Sequence, residues 1–253
     1  LRYLPIGIIG IPFATAIFPA LSKLWVEENK QEFFKKFRSV FESILYFSFP
    51  IGVLIFMLRE QIVRIIFETG SFGEEAIAIT SAALGIYLLS TVAQCLGPIL
   101  LRGFFSLKDS KTPTIIALFF VAFNSLICYF FVSHGESFVN LSEIIFGISE
   151  LSQVKILGLV FAFNLSLFVE FLLLLFLFYR KVGDFGIKKI STYFLKVIFA
   201  TAIMVLSVLT AVSFWPSSLS LIYDLLWFCM VCLVAGTTYI AFSFLFGINI
   251  FKK

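Results

Sequence analysis

The 253 residues are 60% hydrophobic and 13% charged, with 35 Phe and a mean hydropathy of +1.06, whereas soluble domains run near 45–50% apolar and about 25% charged. A water-soluble globular domain is excluded, because so many large apolar rings would leave aggregation-prone patches facing water. The net charge of +4 does not indicate nucleic acid, since the basic residues sit in short clusters between apolar runs, where they act as topology determinants.

A bilayer core about 30 Å thick takes about 20 apolar residues per helix. Seven such runs follow one another, near residues 3–22, 38–58, 76–101, 113–133, 156–179, 193–214 and 224–247. Their unbroken length predicts an all-α polytopic membrane bundle, because barrel strands would alternate over segments of about 10 residues. The first run carries Pro5, Gly7, Gly10, Pro12 and Pro19, a pattern that predicts an irregular, closely packed helix. After the second run, residues 61–68 read as a short interfacial helix with Arg64 and Glu68 one turn apart. The Gly70–Gly73 stretch reads as a turn with glycines free to take positive φ, and Glu74 and Glu75 suit the positive end of the third helix. Gln94, Gly97 and Pro98 allow a bend within that third helix. Residues 133–154 form a longer outer connection with an apolar stretch, beside which His134 reads as solvated. The four cysteines, Cys95, Cys128, Cys229 and Cys232, all lie within apolar runs. They read as small packing residues rather than disulfide, metal or redox groups, and no cofactor or metal is expected. Leu1 to Pro5 has no basic leader and no small-residue cleavage site follows; with no initiator Met, the chain reads as beginning inside a longer protein.

Lys and Arg are retained on the cytoplasmic side of a membrane. Assigning the connections alternately puts 15 of the 19 basic residues on one side and leaves Arg2, Arg59, Arg64 and Lys155 on the other. The first side is expected to be cytoplasmic, with the C-terminus inside.

Three stretches carry a resemblance. Residues 4–22 open with Leu4-Pro5-Ile6-Gly7 and close with Pro19-Ala20-Leu21-Ser22; residues 66–72 include Phe67, Gly70 and Phe72; and residues 102–113 end in Asp109-Ser110-Lys111-Thr112-Pro113. In order and topology these are similar to the MurJ/MviN family, which writes them as Leu-Pro-x-Gly to Pro-x-Leu-Ser, Leu-Phe-x-x-Gly-x-Phe, and Asp-x-Lys-Thr-Pro. The resemblance covers the chain to about residue 180. It implies a fourteen-helix MATE-like fold of the multidrug/oligosaccharidyl-lipid/polysaccharide exporter superfamily, of which the seven spans would be the eighth to the fourteenth. Residues 1–180 would then be five helices of the C-terminal lobe of the core, and 181–253 two additional helices, which in the family form a groove for a lipid tail. The implied activity is flipping of lipid II, the undecaprenyl-diphosphate-linked muropeptide, across the bacterial inner membrane. The implied partners are membrane lipids and an N-terminal half of the same protein. Alternatives are another oligosaccharide-lipid or drug exporter of the superfamily, or a non-transporting membrane scaffold. An enzyme is not expected, since no hydrolase or metalloprotease motif lies in any span.

Moving a diphosphate headgroup through a membrane needs a cationic, hydrated cavity, and each intramembrane ionisable residue costs at least about 2.5–3.5 kcal/mol at a helix centre. Glu170, mid-span, therefore reads either as a cavity or ion-coupling carboxylate or as a residue paired with Asn164 or another span's polar group. The family usually has an amide there. Arg2 and Tyr3 lie near the family's cavity Arg and Glu, with Tyr3 at the position of that Glu; Arg2 either faces the diphosphate or is a chain end. Arg102 is a cavity candidate or a positive-inside anchor. Asn124 and Asn164 are interhelical hydrogen-bond partners or ligands.

Overall fold

In the computed structural model, which describes residues 2–67, 73–133, 151–214 and 221–248, the described elements are helical. A π-helical segment, Ile6–Gly10, runs into α1 (Ile11–Val26), followed by α2 (Lys30–Met57), α3 (Arg59–Phe67), α4 (Glu74–Leu88), α5 (Thr91–Ser106), α6 (Lys111–Ser133), α7 (Leu151–Val182), α8 (Ile187–Ser213) and α9 (Leu221–Leu245). Among the described residues six helices are long and apolar enough to cross a membrane. The number reaches seven when α4 and α5, bent by 43°, count as one span. The seven expected runs are therefore present, and α3 is a short helix where one was expected, one to two residues from its expected start and end.

Local chemistry sets the ends. The Asn29 side chain accepts the Glu32 N–H at 3.2 Å and starts α2, a side-chain cap for a donor that has no helical partner. The Asp184 carboxylate accepts the Gly186 and Ile187 N–H groups at 2.7 and 3.1 Å, and Gly186, at φ 96°, turns the chain into α8. Gly73 caps α4 at φ −81°, so the positive φ expected of the turn glycines does not occur there; Gly70 and Phe72 lie outside the described residues, as do Glu68 and 134–150 of the long connection.

Packing runs outward from α5, which contacts α1, α2, α6 and α7. Helix α6 packs on α7, α8 on α2, and α9 mainly on α8, with lesser contacts to α3 and α2. The core is densest near the end carrying most basic residues, where Phe33, Phe37, Phe104, Phe178 and Phe185 are fully buried. Their rings interlock, Phe37 and Phe178 stacked at 4.8 Å and Phe104 edge-on to Phe178 at 5.4 Å, an arrangement worth about 0.5–1.5 kcal/mol per pair beyond burial. Outward-facing Leu118, Tyr129 and Leu233 are mostly exposed, a surface that suits lipid rather than water.

The expected irregularity of the first span is real, and its glycines differ. A Cβ at Gly10 would lie 2.7 Å from the Cys95 carbonyl, so α1 and α5 touch backbone to backbone there. Gly7 has open space around it and does not serve close packing within this chain. Pro5 is buried, whereas Pro19 lies exposed inside α1. The bend of the third span falls at Leu89–Ser90 and not at Gly97–Pro98, where α5 runs on without a break. A proline removes one N–H, and a helix packed on three sides holds its course through that single loss.

Candidate functional site

The bend between α4 and α5 exposes backbone polar groups in the interior of the bundle, where each needs a partner. Two side chains serve the Tyr87 carbonyl: the Ser90 hydroxyl at 3.2 Å and the Gln94 amide at 3.4 Å, which also donates to Ser90 Oγ at 2.8 Å. The Ser90 hydroxyl further contacts Asn164 Oδ1 on α7, whose amide donates to its own Val160 carbonyl at 2.8 Å. Ser90, Gln94 and Asn164 are 3%, 9% and 5% exposed, so this is a buried polar knot tying the broken span to α7.

Arg2 reaches the same place. Helix α1 runs alongside α5, Gly10 beside Cys95 and Phe18 beside Arg102, which puts residue 2 at the depth of the bend. Its guanidinium carbon lies 4.5, 4.4 and 4.7 Å from the ring centroids of Tyr3, Tyr87 and Phe163. It donates to the Tyr3 hydroxyl at 2.6 Å, and among the described residues no carboxylate pairs with it. Three ring faces stabilise a cation without neutralising it, so the positive charge stays available to an anion. Arg2, Tyr3 and Asn164 are thus brought together, joined by Tyr87, Phe163 and Ser90, which sequence reasoning passed over. Ser90 and Gln94 were detectable as a polar pair one turn apart at the centre of an apolar run. The two rings carry no such mark.

The other candidates lie elsewhere. Asn124 donates to Ser166 at 3.4 Å and joins α6 to α7, the first of the two roles open to it. Glu170, one turn beyond Ser166, is partly buried, and among the described residues no hydrogen bond or ion pair reaches it. Its expected pairing with Asn164 is not formed: six positions apart on one helix, the two side chains lie on different faces and more than a turn apart, and the Asn164 amide donates to its own Val160 carbonyl. Arg102 lies over the Phe18 ring at 5.3 Å, about two turns below the Gly10–Cys95 contact.

At the basic end, the Asp-Ser-Lys-Thr-Pro motif builds a helix start. Asp109 accepts the Thr112 N–H at 3.1 Å and pairs with Lys181 on α7 at 2.6 Å, while Lys111 faces solvent and Pro113 is buried in the first turn of α6. Lys108 takes φ 57° to make the turn. Burial opposes the Asp109 charge, but the bonds from Lys181 and Thr112 outweigh it and hold the carboxyl down to about 2. Across the molecule, Arg64 on α3 grips Glu74 at 2.6 and 2.7 Å and Glu60 at 3.0 Å.

The family model described as "Lipid II flippase MurJ" matches residues 1–228. The chain belongs to the MurJ family. Among curated members, the probable lipid II flippase MurJ of Rhizobium meliloti (strain 1021) is 33% identical over 145 residues, 57% of this chain and 27% of that protein. That of Rickettsia prowazekii (strain Madrid E) is 31% identical over 121 residues, 48% of this chain and 24% of that protein. A solved MurJ in an inward closed conformation superposes with a TM-score of 0.70 at 24% identity, covering 96% of this chain and 44% of that one. The chain therefore spans under half the length of that MurJ structure, shares its fold, and is a multi-pass membrane protein of the MurJ family.

Proposed function

We propose that this chain is the C-terminal part of a lipid II flippase, which carries the undecaprenyl-diphosphate-linked muropeptide from the cytoplasmic to the periplasmic face of the inner membrane by alternating access. The observation that carries this reading is Arg2, a cation held by three rings at the depth of a broken helix, with no carboxylate partner among the described residues. A diphosphate passing through a low-dielectric interior requires a fixed positive charge, and the guanidinium presents planar paired donors to it. Arg2 is the anion contact, Tyr3 and Tyr87 orient it, and Asn164 with Ser90 steadies the bend. Glu170, Asn124 and Arg102 border the same lobe as secondary candidates. The side bearing most Lys and Arg is the cytoplasmic one, with the C-terminus inside. Residues 1–180 act as one lobe of the transporter, 181–253 as two added helices, and the cavity is completed by the family's other lobe.

Complementation with the full-length protein tests this. Cells depleted of their own flippase survive on the wild type and lyse on Arg2→Ala at equal membrane abundance. Lysis despite abundant wild-type protein sinks the assignment, and survival on Arg2→Ala sinks the role of Arg2.

A further inference from the structure

Glu170 follows Phe163 by two turns of α7, so the two residues share a face about 10 Å apart. The Phe163 ring meets the Arg2 guanidinium at 4.7 Å and the Tyr87 and Phe120 rings at 6.0 and 5.9 Å. That face of α7 is therefore turned toward the groove between α4–α5 and α6 that Arg2 enters. Two turns in the other direction lies Leu177, next to Phe178, whose ring is 2.7 Å from where a Gly103 Cβ would stand. Arg102, the neighbour of Gly103, comes level with Leu177. The Glu170 carboxyl thus lies midway in depth between two guanidiniums, and among the described residues neither Arg2 nor Arg102 has a carboxylate partner.

The helices packed on α7 bring few other titratable groups. From Thr112 to Ser133, α6 has no Asp, Glu, Lys, Arg or His, and its Cys128 and Tyr129 lie on the far side of Asn124, which meets Ser166. Helix α5 adds Arg102 and Cys95, the latter packed on Gly10. Helix α4 has Glu74 and Glu75 at its distant start and Tyr87 beside Arg2. On α7 itself Lys155 is about four turns away, and Tyr179, Arg180 and Lys181 lie at the basic end, with Lys181 paired to Asp109. A carboxyl so isolated suits a proton better than a metal ion. No metal-holding group of three acidic, His or Cys side chains forms among the described residues, and the Ser166 hydroxyl, one turn away, donates to the Ala162 carbonyl at 2.8 Å. An unpaired carboxylate in a low-dielectric interior is costly, and neutralisation by a proton removes that cost.

We propose, resting on the flippase reading above, that Glu170 takes up a proton as a diphosphate headgroup settles on Arg2 and gives it back when the headgroup leaves. In the empty groove the two guanidiniums are the counter-charges of the carboxylate. A diphosphate on Arg2 occupies one of them and brings negative charge to about 10 Å from Glu170, which at an effective dielectric of about 20 favours the protonated carboxyl by roughly tenfold per unit charge. The proton comes from water in the groove and returns to it, so nothing else is consumed. Neutral Glu170 also removes the repulsion that the headgroup would meet on its way from the level of Arg102 to that of Arg2. Binding of lipid II to the full-length protein in nanodiscs, measured between about pH 6 and 9, tests this. Wild-type binding weakens by up to about tenfold per pH unit as pH rises through the window in which only the lipid-bound form holds the proton. Glu170→Gln, isosteric and neutral, lacks that component and gives the flatter profile. Glu170→Leu, apolar like Leu167 and Leu173 beside it, takes its place if the Gln variant does not fold. Parallel profiles in the wild type and the neutral variant, including a loss of affinity equal at every pH as a structural role would give, overturn the proposal and leave the flippase reading standing, because lipid II still binds. Failure of the wild type to bind lipid II at any pH sinks both.

Discussion

The Tyr239 hydroxyl donates to the Tyr46 carbonyl at 2.8 Å across 193 residues of sequence, and Pro50, four residues on, is the reason that carbonyl is free. A helical carbonyl at position 46 would receive the N–H of residue 50, which proline lacks. The Tyr46 hydroxyl in turn bonds Ser243 at 2.8 Å, so α9 is keyed to the one place in α2 where the backbone has a vacancy. Tyr239→Phe should destabilise by about 0.6 kcal/mol, the mean for interhelical hydrogen bonds within a membrane protein. In a Pro50→Ala background, where the N–H returns, the same change should cost little. A double-mutant cycle by reversible unfolding in mixed micelles measures this, and additive effects contradict it.

Asp109 and Lys181 join the start of α6 to the end of α7. The carboxyl is held at about 2, below its ordinary 3.8, so it contributes stability that is complete above pH 3.8 and lost as pH falls through 2. Lys181 is 46% exposed, which discounts the gain to about 1–2 kcal/mol. Asp109→Asn should lower the melting temperature at pH 6, and the gap to wild type should close between pH 4 and 2. A gap that is constant with pH refutes the assignment.

Arg64 binds Glu74 through two short bonds and Glu60 through longer ones. A spin label at Ile66, on the exposed side of α3, should gain mobility in Glu74→Gln and less in Glu60→Gln. Salt should loosen the wild type towards the Glu74→Gln spectrum, since exposed pairs are screened. Equal mobility in both variants removes Glu74 as the principal anchor.

Gly103 faces the Phe cluster so closely that a Cβ would lie 2.7 Å from the Phe178 ring and 3.1 Å from that of Phe37. Both rings are fully buried and have nowhere to move. Gly103→Ala should therefore destabilise by about 1–3 kcal/mol, as overpacking does. Gly236→Ala on α9, with open space around it, should be neutral or gain up to about 1 kcal/mol. Thermal unfolding of the two variants side by side distinguishes packing from helix propensity.

Tyr87 supplies one of the three rings around Arg2. Removing it in Tyr87→Leu forfeits a desolvated cation–π contact of about 1–2 kcal/mol and should slow flipping roughly 5- to 30-fold in reconstituted vesicles. Tyr87→Phe keeps the ring and should keep the rate. If Leu and Phe behave alike, the ring does not position the cation.

Particular residues mark where sequence reading ends. The run near 76–101 is legible as one span because its length and hydropathy are local properties, and the motif ending at Pro113 lies where the 113–133 run begins because Asp109 caps a residue three positions away. The bend that Gln94, Gly97 and Pro98 allow falls instead at Leu89–Ser90, since a missing N–H is visible in sequence but the surrounding packing that tolerates it is not. Glu170 is legible as costly in a membrane, and its lack of a partner among the described residues is not.

What the amino-acid order by itself determined is the solvent, the number of spans and the asymmetric distribution of charge, because burial in lipid and retention of Lys and Arg act on each segment separately. What only the tertiary structure decided is which polar groups meet: Arg2 with Tyr87 and Phe163, Ser90 with Asn164, Lys181 with Asp109, Tyr239 with the carbonyl above Pro50. Each pairing joins segments far apart in the chain. The hydrophobic pattern sets every helix across the membrane without fixing its rotation or its neighbours, and those follow from packing of the whole bundle.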